Sequence, residues 1–177
     1  MVDSDNYFGG YMGTQHLISC GHKNILTLTC PWREYEDRTN GYRQALSDHG
    51  IPYREAFVLT VDSNYESAYN AIVQNLSLVK QASAIYVQSD ILTLGVANAL
   101  QDAGLKIPQD LSIIGSDGYE LGAIAHPRLD SVAHPIEELV ELAISRLVEI
   151  SEKKKQTPQQ IILRPYIIER GSVAKKE

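Results

Sequence analysis

From residue 25 onward the chain alternates short β-prone runs with amphipathic helical ones, and that rhythm leaves few folds open. Ile25-Leu26-Thr27-Leu28-Thr29 is apolar and β-prone, and Pro31 stops it. A polar stretch at 33–37 leads into a helix predicted over 38–49, which Gly50 and Pro52 end. The cycle repeats: strand 56–61, helix 64–78, strand 84–87, helix 90–103, strand 111–115. Strands that alternate with helices in this way predict an α/β fold, a doubly wound and mostly parallel sheet covered on both faces, with right-handed crossovers.

Before this rhythm, helical spacing over 7–20 predicts an opening helix whose Gly9, Gly10 and Gly13 suit a closely packed neighbouring backbone. After it, the pattern changes. Residues 118–128 read as an irregular connection, 129–133 as a short strand and 136–150 as a strongly amphipathic helix. A charged exit follows at 152–156. Residues 161–169 close the chain as one or two strands broken at Pro165, and 173–177 read as a disordered tail.

Composition narrows the function classes. A length of 177 residues suits about one domain with an ordinary core. The net charge of −6 argues against this segment gripping phosphate backbones itself. Cys20 and Cys30 match neither a metal spacing nor a redox pair, His16, His49, His126 and His134 show no metal spacing, and His22 reads as a loop hydrogen-bonder. No apolar run has the length of a membrane span, and the acidic opening MVDSDNYFGG is not a signal peptide. A soluble, cytoplasmic domain is expected, with no metal and no cofactor.

In a doubly wound sheet, ligands bind beyond the carboxyl ends of the strands. That rule selects residues 30–38, 62–65, 88–90 and 116–119. Arg38 offers a planar fork of donors for hydroxyls or a carboxylate. Asp117 offers two acceptors for a pair of hydroxyls, and Ser89 adds a small donor and acceptor. Trp32 and Tyr119 supply flat apolar faces suited to the C–H face of a sugar ring. Each has a second reading: Arg38 paired with Asp37 or Glu34 in solvent, Asp117 as a turn former, Trp32 as packing. Asp90 reads as a helix cap. Neither a GxSxG elbow nor a phosphate loop is present, and Gly9-Gly10-x-x-Gly13 lacks the preceding strand of a nucleotide loop. Binding without turnover is the expectation.

The motifs then converge on a family. Asp5-Asn6-x-x-Gly9-Gly10 followed by His16-Leu17-Ile18-x-x-Gly21-His22-x-x-Ile25 resembles DNxxGGxxAxxHLIxxGHxxI. Arg38-x-x-Gly41-Tyr42-x-x-Ala45-Leu46 resembles RxxGFxxAL. Ser89-Asp90-x-x-x-Leu94-Gly95, Pro108-x-Asp110-x-Ser112-Ile113-Ile114-Gly115-x-Asp117 and Pro127-x-Leu129-x-Ser131-Val132 resemble three further elements in the same order. The pattern resembles the LacI/GalR-type bacterial transcriptional repressors, over about residues 5–172.

That resemblance implies a periplasmic-binding-protein-like fold of type I with an incomplete second lobe. It assigns 1–20 to a helix entering the domain and 21–118 to the C-terminal subdomain. Residues 119–158 become a crossover strand and helix of the N-terminal subdomain, and 159–172 the closing strand. The DNA-binding headpiece, the hinge helix and the first half of the N-terminal subdomain have no counterpart in this sequence. The resemblance gives Arg38 and Asp117 the role of clamping effector hydroxyls, with Ser89 in contact and Tyr65 as the stacking or polar candidate. It implies a sugar or sugar phosphate as effector, a homodimer or domain-swapped oligomer, DNA bound only through the headpiece, and no membrane. Ser116-Asp117-Gly118 departs from the commoner aromatic-Asp-Asp/Asn, with Tyr119 placed to restore an aromatic. The rivals are a transport-type sugar-binding protein, which needs a secretory signal and a complete first lobe, and a small flavodoxin-like enzyme, which needs a catalytic pair.

Overall fold

The computed structural model describes residues 1–152 and 160–176. Its elements in chain order are β1 (Val2–Ser4), α1 (Asn6–Ser19), β2 (Ile25–Thr29), α2 (Arg33–Asp48), β3 (Val58–Thr60), α3 (Tyr65–Gln74), α4 (Leu76–Val79) and β4 (Ala84–Val87). They continue with α5 (Asp90–Asp102), β5 (Ser112–Asp117), α6 (Leu121–Ile124), β6 (Asp130–Ala133), α7 (Ile136–Glu152), β7 (Ile161–Leu163) and β8 (Tyr166–Ile168).

A six-stranded sheet of order β3-β2-β4-β5-β6-β8 forms the centre. All its pairings are parallel except β6 with β8. Consecutive residues on each inner strand serve opposite faces. Ile25, Tyr86, Ile114 and Val132 pack with Leu17 of α1 and Tyr42 and Leu46 of α2. Leu26, Leu28, Ile85 and Ile113 pack with Ala68 and Ile72 of α3 and Leu92, Val96 and Leu100 of α5. Burial on both faces explains why these strands read as continuous apolar runs. Each fully buried aliphatic side chain contributes roughly 1.5–3 kcal/mol.

The strand order reverses at β2, since β3 lies on one side of it and β4 on the other. The carboxyl ends of β2, β4, β5 and β6 therefore open onto one crevice. The α1–α2 packing sets one wall of it. A Cβ on Gly10 would overlap the Arg38 carbonyl oxygen, and one on Gly41 would overlap the Tyr7 carbonyl oxygen. The two helix backbones touch at these glycines, as the run Gly9, Gly10, Gly13 suggested.

The second sheet has two parallel strands, β1 and β7, with α7 against β1. The α7 side chains Ile136, Val140, Ile144, Leu147 and Val148 are about half exposed or more.

Several sequence expectations change. Helix α2 begins at Arg33, not 38, because extended Trp32 caps it and Glu34 and Glu36 suit the positive end of the helix. The expected helix 64–78 breaks at Asn75, whose side-chain amide donates to the Ala71 carbonyl instead of extending the helix. Residues 55–57 form a 3₁₀ turn that shortens the expected strand 56–61. The strand β6, assigned by resemblance to the other subdomain with 119–158, joins the central sheet beside β5. The closing segment 159–172 divides: β7 goes to the small sheet and β8 to the large one.

The expected disordered tail is docked as far as residue 176. Asp130 Oδ1 accepts from the Arg170, Gly171 and Ser172 amides. Ser172 Oγ donates to the Ile113 carbonyl, and the Lys176 amide to the Cys20 carbonyl. His22, buried, bridges Ser83 Oγ and the Ala174 carbonyl. A short tail ending in charged residues looks disordered in sequence, yet long-range hydrogen bonds of Ala174 and Lys176 fix it here. Residues 153–156 of the expected charged exit, the boundary at 158/159 and residue 177 lie outside the described residues.

Candidate functional site

Arg38 sits in the second turn of α2, and its position follows from the earlier start of that helix. Its guanidinium crosses the mouth of the sheet and is buried. Nη1 donates to Asp117 Oδ1 at 3.1 Å and to the Gln88 carbonyl. Nε donates to Asn6 Oδ1 at 2.9 Å, and Nη2 lies 3.0 Å from His134 Nε2. The ring of Tyr35 lies below it, 5.2 Å from Cζ. Four chain segments thus meet on one cation.

Asp117 ends β5 with a φ of +112°, a left-handed conformation that a side chain adopts only under constraint. The constraint is visible: its Oδ2 accepts from Ser89 Oγ at 2.9 Å and from the Asp90 amide at 3.3 Å. Gly118, at φ +82°, continues the turn. Gln88 is held from beneath. Its amide oxygen accepts from Thr29 Oγ1 at 2.9 Å, and its Nε2 donates to Thr39 Oγ1 at 3.0 Å. This buried network fixes the carbonyl that receives Arg38.

Asp90 heads α5, as its reading as a cap suggested, but its carboxylate organises the loop after β5. It accepts from the Tyr119 amide at 2.7 Å and from Ser131 Oγ at 2.8 Å. Burial pushes its pKa up from 3.8 to about 6, against the pull of those two donors. The folded chain therefore binds a proton between pH 4 and 6 that the unfolded chain does not. This group's contribution to stability falls as pH rises through that window, by on the order of 3 kcal/mol. Asp90→Asn removes the titration. Its stability relative to the parent should improve by that amount between pH 4 and pH 7 in urea unfolding. A pH-independent difference would contradict the assignment.

Of the six candidate residues, the structure brings Arg38, Ser89 and Asp117 into one hydrogen-bonded cluster. Trp32 and Tyr119 are exposed at its margin, 52% and 55% accessible. Trp32 meets Tyr35 edge-on at 5.8 Å. Tyr65 is not brought to the cluster: its hydroxyl accepts from Asn98 on α5 at 2.8 Å, and its ring stacks on Tyr69. Arg38 does not pair with Asp37 or Glu34, so its solvent reading falls. A depression of about 410 Å³ opens beside Asp117, lined also by Gly118, Tyr119, His134 and Tyr166.

Sequence reasoning missed Asn6, Tyr35 and His134. The signal for His134 was present, since it follows the carboxyl end of β6. Assigning that strand to another lobe withheld the strand-end rule from it. Asn6 and Tyr35 carry no local signal, because α1 and the first turn of α2 meet Arg38 only through tertiary packing.

Comparison with known proteins bears on this geometry. The profile of the periplasmic binding protein-like domain matches residues 14–173. The repressor PurR of Yersinia pestis bv. Antiqua (strain Antiqua) is 34% identical over 173 residues, covering 96% of this chain and 51% of PurR. Catabolite control protein A of Priestia megaterium is 34% identical over 133 residues, covering 73% of this chain and 40% of its own length. The chain thus spans about half the length of the curated relatives it matches. Among solved structures, the transcriptional regulator CelR in complex with cellobiose superposes with a TM-score of 0.91 at 30% identity, covering 97% of this chain and 53% of CelR. A LacI family regulator from Enterococcus faecium with bound ribose gives 0.87 at 27% identity, covering 99% and 66%. With its profile match, its mostly parallel doubly wound sheet and these regulators as relatives, the chain belongs to the LacI-type transcriptional repressors, as a periplasmic-binding-protein-like effector-binding domain.

Proposed function

We propose that this domain senses a small polyhydroxyl effector, a sugar or sugar phosphate, and that Arg38, Asp117 and Ser89 hold it. The observation that carries the reading is the convergence of a buried guanidinium, a carboxylate and a hydroxyl at adjacent strand tips, where the strand order reverses. Without ligand these groups satisfy one another. A pair of vicinal hydroxyls would replace that internal contact, donating to Asp117 and accepting from Arg38. Trp32 and Tyr119 flank the position for contact with the C–H face of a ring. Binding without chemical turnover is sufficient for the role. Ligand closure in the whole regulator then biases the affinity of a headpiece for DNA, a coupling of typically 1–3 kcal/mol.

We also assign self-association to the chain. Half-exposed apolar side chains run along α7, and Ile91, Leu121 and Ile124 stand exposed on and beside α5. Light scattering should give a dimer or larger species.

Isothermal titration with ribose, cellobiose and a phosphorylated hexose tests the effector reading. One lobe's polar groups should give a dissociation constant in the millimolar range, about −4 kcal/mol. Asp117→Asn should weaken it at least tenfold. No saturable heat from any of the sugars, or an unchanged constant in D117N, would overturn the reading.

A further inference from the structure

Three connections run between the two sheets: β1 to α1, β6 to α7, and β7 to β8. His134 lies on the second and touches the first. Its Nδ1 is 2.6 Å from Ser4 Oγ at the end of β1, and its Nε2 is 3.0 Å from Arg38 Nη2. A guanidinium has hydrogens to give and no lone pair to offer, so Nε2 must accept. That fixes the neutral tautomer with the proton on Nδ1, which donates to Ser4 Oγ. The imidazole is 7% exposed.

We propose that His134 is a positioning residue for Arg38, and that its protonation state sets whether the guanidinium stays aimed at Asp117. This rests on the reading of Arg38 and Asp117 as the effector clamp. The neutral ring holds Nη2 while Asn6 and the Gln88 carbonyl hold the other nitrogens. A proton added at Nε2 removes the acceptor that faces Nη2, and sets an N–H against an N–H. It also brings a second cation beside the first. The charged ring has a better partner within reach: Asp117 Oδ1 is 3.8 Å from Nε2. It therefore competes with Arg38 for the carboxylate on which the clamp depends.

The charges around His134 come from each packed element. Arg38 faces it from α2, Asp117 from β5 and Asp3 from β1. Glu137 and Glu138 of α7 line the same depression. Burial and Arg38 favour the neutral ring, and the two aspartates favour the charged one; burial and Arg38 prevail, so the ring titrates below its ordinary value. The folded domain thus keeps the Arg38-holding form at neutral pH and loses it in mild acid.

Long-range ¹H–¹⁵N NMR of the imidazoles in the 177-residue chain reads this without a ligand. The expected result is the Nδ1–H tautomer of His134 at pH 7.5 and a titration midpoint below 6.5. The Arg38 Nε–H chemical shift should move with the same midpoint as the His134 ring. In His134→Gln the amide oxygen accepts from Nη2 at every pH, and the Arg38 shift should lose that midpoint. An Nε2–H tautomer, or an Arg38 shift that moves with the same midpoint in H134Q as in the parent, overturns the proposal. The sugar titrations report on the clamp itself, so either result can fail while the other stands.

Discussion

Arg38→Ala should lower the stability of the unliganded chain by about 3–5 kcal/mol, the range for breaking a buried ion pair on one side. The melting temperature should drop by roughly 6–20 °C, given about 2–4 °C per kcal/mol for a domain of this size. The reason is what the substitution leaves behind. Asp117 keeps Ser89 Oγ and the Asp90 amide but loses its counter-ion. The Gln88 carbonyl and Asn6 Oδ1 lose their donor, in a place where little water reaches. Arg38→Lys keeps the charge but replaces a planar fork by a point donor, and should recover only part of the loss. A second variant separates the pair from the packing: Arg38→Met with Asp117→Leu removes both charges, and the double-mutant cycle should give a coupling of 1 kcal/mol or more. A melting temperature within about 2 °C of the parent for R38A would mean that the pair is solvated and the buried cluster does not exist.

Adjacent glycines should respond in opposite directions. A Cβ at Gly9 meets only Pro165 and Val132 side chains, at 3.6 and 3.7 Å. Gly9→Ala should therefore stabilise α1 by about 0.5–1 kcal/mol through backbone entropy. A Cβ at Gly10 overlaps the carbonyl of Arg38 itself. Backbone cannot rotate away as a side chain can, so α1 and α2 must separate. Overpacking costs typically 1–3 kcal/mol where side chains can yield; here at least about 3 kcal/mol is expected, with an enlarged loss of sugar binding because α2 carries Arg38. Gly41→Ala should behave like G10A, since its Cβ overlaps the Tyr7 carbonyl. Urea unfolding of the three variants checks this. Equal stability of G9A and G10A would show that the helix crossing is looser than described.

The residues most visible in sequence were those whose signal is local. Strand β4 is four buried apolar or aromatic residues, and α7 is seventeen residues of helical spacing, so both were legible in outline. Arg38 and Asp117 were found because the strand-end rule converts order along the chain into position. The start of α2 was misplaced because Trp32 caps it with backbone conformation alone, which no side-chain preference announces. The docked tail was misread because its partners Ser112, His22 and Cys20 lie far earlier in the chain, with the two Ala174 bonds spanning 62 and 152 positions.

Periodicity and the spacing of strand ends, both properties of near neighbours, pointed to the doubly wound sheet and to Arg38 and Asp117 at its mouth, and the resemblance of five ordered motifs pointed to the family. Packing decided the rest. The four hydrogen-bonding partners of Arg38 lie 32, 50, 79 and 96 positions away. Which acceptor reaches a guanidinium across such distances depends on how closely two helices approach, on which strand joins which sheet and on where the connections cross. Those are fixed only when the whole chain excludes water from its core.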